Sequence, residues 1–356
     1  MRGADDQTSH MFSYLSPDAR VRPDHPLREI RRITDAALTE ISPQLEALYS
    51  DLGRPSIPPE QLLRALVIQV LYSVRSERLL MEEIDYSMLF RWFIGVNLDT
   101  PIWSPTTFSK NRERLLRGDI AGAFFAAVAD QARAAGLLSD EHFTVDGTLL
   151  EAWASLKSFQ PRDSAPPDDP DRSNPTVNFK GQRRKNDTHV SRTDPDARLY
   201  RKADGDKAVL AYLAHVLLDN RHGLVQGACA TAADGFAERE AAQLLLEASG
   251  RRRGTVGADK GYNVPKFVEA VRRLGFTPHV AEKAQYNAID GRVTRTPGYA
   301  ISQRKRKLVE QVFGWMKTVG LLRKLRHRGG ERVDWIVTFT AATYNMVRIR
   351  RLLAGT

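Results

Sequence analysis

From residue 143 to the C-terminus the hydrophobic period switches back and forth between two and about 3.6, and this alternation narrows the possible folds more than any other feature. β-Rich runs lie at 143–150, 209–218, 224–232, 255–258 and 276–280. Helical patterns lie at 236–248 and 265–274, and two helices over 302–322 and 333–353 close the chain. Three strands followed by alternating helices and strands predict an α/β domain with a mixed sheet flanked by helices. Periodicity does not give the strand order.

The chain ahead of residue 138 is helical throughout. Residues 1–20 lack periodicity and read as a mobile leader. An apolar face then runs through Ile30, Ile33, Ala37, Leu38 and Ile41, followed by a break at Ser42-Pro43 and a punctuator at Gly53-Arg-Pro-Ser-Ile-Pro-Pro. Further helices are expected from Pro59, from Ser76 as N-cap, over 86–94 and over 106–116 behind Ser104-Pro105. An alanine-rich helix over 119–137 links this part to the next. The helix over 106–116 carries Lys110, Asn111, Arg112 and Arg114, which predicts a helix-turn-helix reader with Lys110 and Arg112 on phosphate and Asn111 at a base edge. A helical bundle with a solvated basic face fits the same residues.

Charge is distributed unevenly. The last 56 residues hold thirteen Lys or Arg against three Asp or Glu, which equals the formal +10 of the whole chain. Such a patch suits a polyanion, nucleic acid above all. The most apolar stretch, 62–74, is too short to span a bilayer, and the N-terminus lacks a signal-peptide layout, so a cytoplasmic location is expected. The single cysteine, Cys229, excludes an intrachain disulfide and a cysteine zinc site. Residues 156–207, with six prolines, twelve basic and nine acidic residues, predict a loop-rich insertion that orders on a partner, with Lys180, Arg183, Arg184 and Lys185 suited to a phosphate backbone.

Three acids stand in unusual contexts. Asp146 and Asp259 each follow β-formers and meet a glycine within two residues, which places an acid where a strand turns; a turn-former or N-cap is the plainer reading. Glu310 lies in Arg304-Lys-Arg-Lys-Leu-Val-Glu-Gln-Val-Phe-Gly-Trp-Met-Lys317. On a continuous helix Arg306, Glu310 and Lys317 fall within about 40° of one face. His142, four residues before Asp146, and Trp153, placed to stack on an unpaired base, are weaker candidates.

Val-Asp-Gly-Thr at Asp146, Ala-Asp-Lys-Gly-Tyr at Asp259 and Arg306-x3-Glu310-x6-Lys317 together resemble the insertion-sequence-five (IS-five) family of bacterial DDE transposases over nearly the whole chain. Supporting stretches lie at 53–60, 75–78, 91–95 and 196–202. One departure is Gln303, where the superfamily places a tyrosine three residues before the arginine. The resemblance implies a ribonuclease-H-like catalytic domain over 138–356, preceded over 21–137 by an all-helical DNA-binding domain. It implies Asp146, Asp259 and Glu310 as catalytic metal ligands for Mg²⁺, with Mn²⁺ as substitute, and Arg306 and Lys317 as phosphate contacts. The implied partners are double-stranded DNA at terminal inverted repeats and target DNA, engaged by a homodimer at the bacterial nucleoid with no membrane involved. A metal-dependent nuclease without joining activity, or an inactive DNA-binding regulator, fits the same residues.

Overall fold

The computed structural model describes residues 16–50, 52, 56–162, 185–201 and 207–355. Among the described residues the helices come first: α1 (Pro17–Arg20), α2 (Pro26–Glu40), α3 (Ser42–Glu46), α4 (Pro59–Leu71), α5 (Glu77–Tyr86), α6 (Met88–Ile94), α7 (Pro105–Arg117) and α8 (Ile120–Ala134). Their starts follow local chemistry. Proline opens α4 where its missing N–H is harmless, and the hydroxyls of Ser76 and Ser104 cap α5 and α7 through Leu79 N (3.1 Å) and Thr107 N (3.2 Å). The single helix expected over 86–94 instead restarts at Ser87, whose hydroxyl caps α6 through Phe90 N. Residues 16–20, expected in the leader, belong to the fold: Asp18 accepts from Trp92 Nε1 (2.9 Å) and Arg28 (3.0 Å). Residues 1–15 and 53–55 lie outside the described residues.

The second part contains β1 (His142–Glu151), β2 (Phe159–Pro161), β3 (His189–Ser191), β4 (Arg198–Tyr200), β5 (Val209–Asp219), β6 (Val225–Ala232), α9 (Ala237–Ala248), β7 (Thr255–Ala258), α10 (Pro265–Arg273), β8 (Thr277–Val280), α11 (Gly291–Thr294), α12 (Pro297–Lys305), α13 (Leu308–Thr318) and α14 (Gly330–Ala354). In the main sheet β1 is central. Its nine-residue antiparallel ladder with β5 runs from Phe143↔Asp219 to Glu151↔Ala211, and on its other side it pairs in parallel with β7, which pairs in parallel with β8. β6 and β4 share the outer edge of β5. The fold is thus a mixed α/β sheet with helices ahead of it.

Strand alternation sorts the two faces. Phe143, Val145 and Val256 face α9 and α10 with Leu246, Phe267 and Val271, whereas Leu150, Tyr212, Ala214 and Val216 face α13, α14 and the N-terminal helices. α14 is apolar nearly all round and is buried accordingly. It packs on β6 with one side and on α8 and α2 with the other, where Phe339 stacks on Phe124 and Trp335. One apolar cluster therefore runs from Val21 on through Phe124 and Leu150 to Ile349. The boundary expected near residue 137 is a change of sequence pattern and not a gap in the core.

The helix expected over 302–322 is two helices, because α12 starts earlier, at Pro297, and the chain bends at Arg306-Lys307 before α13. The described ends of the 156–207 insertion are not structureless. β2 pairs with β3, β4 extends the sheet, and buried Asp194 accepts from Tyr212 Oη (2.7 Å) and Gly329 N (3.1 Å). Polar anchoring replaces the apolar periodicity that sequence reading looks for. Among the described residues, no helix is long and apolar enough to cross a membrane.

Candidate active site

Asp146 lies in the middle of β1, not at a strand end as its neighbouring glycine suggested. What ends there is the parallel partner, since β7 pairs only with His142 to Thr144 while β1 continues against β5. Gly147 serves a close approach and not a turn. A Cβ on it would sit 3.0 Å from the Glu238 side chain and 3.1 Å from His215 Nδ1.

The β1–β7 register matches Thr144 with Gly257, so continuing it by two residues sets Asp259 beside Asp146. Asp259 follows the last residue of β7 and caps the turn Lys260–Tyr262, its Oδ1 accepting from Gly261 N at 2.7 Å. The N-cap reading therefore holds for this residue, and it does not exclude a role beside Asp146. Burial pushes the Asp146 carboxyl up to about 7. A hydrogen bond from Gly147 N (2.8 Å) works against the shift, the charges of Asp259 and Glu238 add to it, and Arg306 opposes it.

Thr144, Asp146 and Thr148 share one face of β1, and the α12–α13 bend lies along it. Near Thr144, Arg306 packs over β7, its Cβ 3.5 Å from where a Cβ on Gly257 would stand. At the far end, Lys317 Nζ donates to Thr148 Oγ1 at 2.6 Å. Glu310 stands two turns before Lys317 on the same side of α13, between these contacts, and is exposed. Arg306 caps α12 and donates from Nε to Gln303 Oε1 (3.0 Å), while Gln303 Nε2 donates to His279 O on β8 (2.5 Å). The glutamine in the tyrosine's usual place thus ties Arg306 to the sheet.

As the side chains stand, no three His, Cys, Asp or Glu among the described residues are grouped to hold a metal ion. The continuous helix on which Arg306, Glu310 and Lys317 were expected to share one face is interrupted at Arg306-Lys307. Sequence reading missed Glu238 and Arg239 in the first turn of α9, and Tyr262, buried below the two aspartates. The signal for α9's start was Asp234, whose Oδ1 accepts from Phe236 N and Ala237 N; nothing pointed its first turn toward β1.

Other candidates lie elsewhere. His142 is exposed and bonds Thr255 Oγ1 (2.9 Å) at the opposite end of β1. Asn111, expected to read a base, is buried and donates to its own helix at Thr107 O (2.9 Å). Arg112, expected on phosphate, is held by Glu77 and Glu113. α7 is packed by α4, α5, α8 and α14, so these two side chains are turned into the bundle. Lys110 and Arg114 are exposed, Arg114 over the ring of Tyr49. Lys180, Arg183 and Arg184 fall outside the described residues, and Lys185 is exposed ahead of β3.

Two family matches cover most of the chain: residues 15–114 match the family described as "Transposase domain (DUF772)" and residues 186–346 the family described as "Transposase DDE domain". No curated protein matches the chain. Among solved structures it is similar to a pre-cleavage Mos1 transpososome and to a Mos1 strand transfer complex, each at 13% identity and a TM-score of 0.21, covering 86% of this chain and 81% of that one.

Proposed function

We propose, from the premise that this chain is a DNA transposase of the DDE type, that Asp146, Asp259 and Glu310 are its catalytic acids and that it hydrolyses the ends of an insertion sequence and joins the freed 3′-hydroxyls to target DNA. The observation carrying this is the convergence of two carboxylates from different strands beneath a basic helical bend: Asp259 beside Asp146, with Arg306 and Lys317 at either end of the same strand face. The strand order β6-β5-β1-β7-β8, with the last two parallel to β1, supports the ribonuclease-H-like reading. The Arg306-x3-Glu310-x6-Lys317 spacing supports the IS-five assignment.

Enzymes of this type depend on a divalent metal. The donor chemistry here fits one: two adjacent, half-buried carboxylates, one with its pKa near 7, make a hard-oxygen pair whose repulsion a dication relieves. Asp146 and Asp259 would hold it, with Glu310 supplied from α13, and Mg²⁺ is the proposed ion with Mn²⁺ as substitute. When bound, such ions supply Lewis-acid activation of the attacking oxygen and stabilise the leaving one. The chain's own groups do the rest. Arg306, steadied by Gln303, and Lys317, steadied by Thr148, neutralise the charge of the phosphate under attack, and the wall of α13 orients the strand across β1. The proposed partners are double-stranded DNA at terminal inverted repeats and at the target site, bound by a homodimer at the nucleoid.

The test pairs a gel-shift with a cleavage and joining assay on Asp146→Asn, Asp259→Asn and Glu310→Gln. Each should lower cleavage and joining by about a thousandfold or more while end binding stays within about twofold. A variant cutting at the wild-type rate removes its residue from the site, and cutting without joined product in the wild type makes the protein a nuclease.

A further inference from the structure

Where β1 ends, the chain turns through Trp153, which is 48% exposed, unlike the buried Trp92 and Trp335. An exposed indole at a sheet edge costs apolar hydration that packing does not recover. It lines an open cleft of about 370 Å³ together with Arg75, Ser76, Glu77, Arg112, Arg326 and His327. The cleft lies between the N-terminal helices and the main sheet, and the acids at Asp146 do not use it.

Its charge is unbalanced. Glu77 and Glu113 take Arg112, and Glu113 also takes Arg332 at 2.7 Å. The Arg326 guanidinium donates to the carbonyls of Val74 and Arg75, and neither Arg326 nor exposed Arg75 forms an ion pair among the described residues. Two cations thus face the cleft without a carboxylate. Burial, and the charges of Arg112, Arg326 and Arg332, keep His327 neutral, which agrees with a positive potential inside.

An aromatic face beside unneutralised guanidinium groups matches one ligand chemistry, a flat base joined to a phosphate. We propose that this cleft is a subsite for one unpaired nucleotide of a DNA strand, its base stacked on Trp153 and its phosphodiester held by Arg75 and Arg326. The inference rests on the reading of the chain as acting on DNA. At about 3.3 Å per residue along β1, the subsite lies about 20 Å from Asp146, a few nucleotides along a strand whose reacting phosphate is at the acids.

The experiment uses the full-length protein without added metal and three probes: a blunt duplex, the same duplex with a single-stranded tail of thymidines, and thymidine monophosphate. Tryptophan emission and binding are measured. The tailed duplex should quench the emission and bind about tenfold more tightly than the blunt one. Trp153→Ala should remove that preference and the quench while leaving blunt-duplex binding unchanged; Trp153→Phe should keep most of the preference, since a phenyl ring still stacks. Equal binding of both duplexes by wild type, or an undiminished tail preference in Trp153→Ala, overturns the subsite. Monophosphate that binds as tightly as the tailed duplex assigns the cleft to free nucleotides and overturns the DNA assignment. These readouts need no cleavage, so they can fail while Asp146→Asn still abolishes activity; a wild type that binds neither duplex sinks the DNA reading as well.

Discussion

Two basic helices drew attention in the sequence, α7 with Lys110, Asn111, Arg112 and Arg114, and the stretch across α12 and α13 with Arg306, Glu310 and Lys317. Their compositions are alike and their situations are not. On α7 the side chains best suited to read DNA are already engaged inside the protein: Asn111 with Thr107 O, and Arg112 with Glu77 and Glu113 at 15% side-chain exposure. Along the α12–α13 bend, Arg306 donates to the neutral Gln303 amide and Lys317 to the hydroxyl of Thr148, and both lie beside the Asp146 face. Whether a basic helix can act on a polyanion depends on how many of its charges are already neutralised within the fold.

The largest effect that would sharpen this contrast is on catalysis. Arg306→Gln should lower joining by about a hundredfold, the scale of losing one donor to developing charge, with little change in thermal midpoint. A variant that loses activity only because it unfolds would make Arg306 another packing residue. On α7 the ranking should reverse. Arg112→Gln leaves Glu77 half-paired in a mostly buried setting and should cost about 2–3 kcal/mol of stability, read as a drop in denaturation midpoint, while folded protein binds element ends normally. Lost binding at unchanged stability would restore α7 as a reader.

His327 extends the same test to pH. Burial, then Arg112, Arg326 and Arg332, lower its pKa to about 3 from an unfolded value near 6.5. Because the folded value is depressed for a base, the unfolded chain takes the proton first as pH falls. Stability should therefore be unaffected above about pH 6.5 and fall between there and pH 3, by a few kcal/mol in total. Denaturation curves across that range should show a steeper slope in wild type than in His327→Gln, in which buried His215 still contributes. The smallest effect belongs to Lys110, exposed on α7. Lys110→Ala should reduce the salt slope of DNA binding by about one and move stability by less than about 0.5 kcal/mol. A slope equal to wild type would show that this face of α7 meets no phosphate.

Much of the architecture was already legible along the chain. The 255–258 strand was read residue for residue, the other main strands to within one, and the caps at Ser76 and Ser104 open the helices expected of them. The acids at Asp146, Asp259 and Glu310 and their basic neighbours were also visible, because a carboxylate beside glycine in an apolar run and a fixed spacing of charges are local features. Short strands β2, β3 and β4 were not legible, since three-residue strands, β2 paired with β3 and β4 with an edge of β5, leave no period to detect.

Only the tertiary structure decided which residues meet. Asp259 follows the last strand residue of β7, whose parallel register with β1 carries it toward Asp146, and Glu238 reaches Gly147 because α9 crosses β1; neither juxtaposition has a counterpart in sequence spacing. The bend at Arg306-Lys307 places Arg306 over Gly257 and leaves Glu310 exposed, although the sequence allowed one continuous helix with all three charges on a single face. Nor could composition show that Arg112 is engaged by Glu77 from another helix while Arg326 donates only to carbonyls among the described residues. Local propensity sets the elements through interactions a few residues long, whereas charge pairing and burial depend on neighbours brought in from far along the chain, and those follow from packing alone.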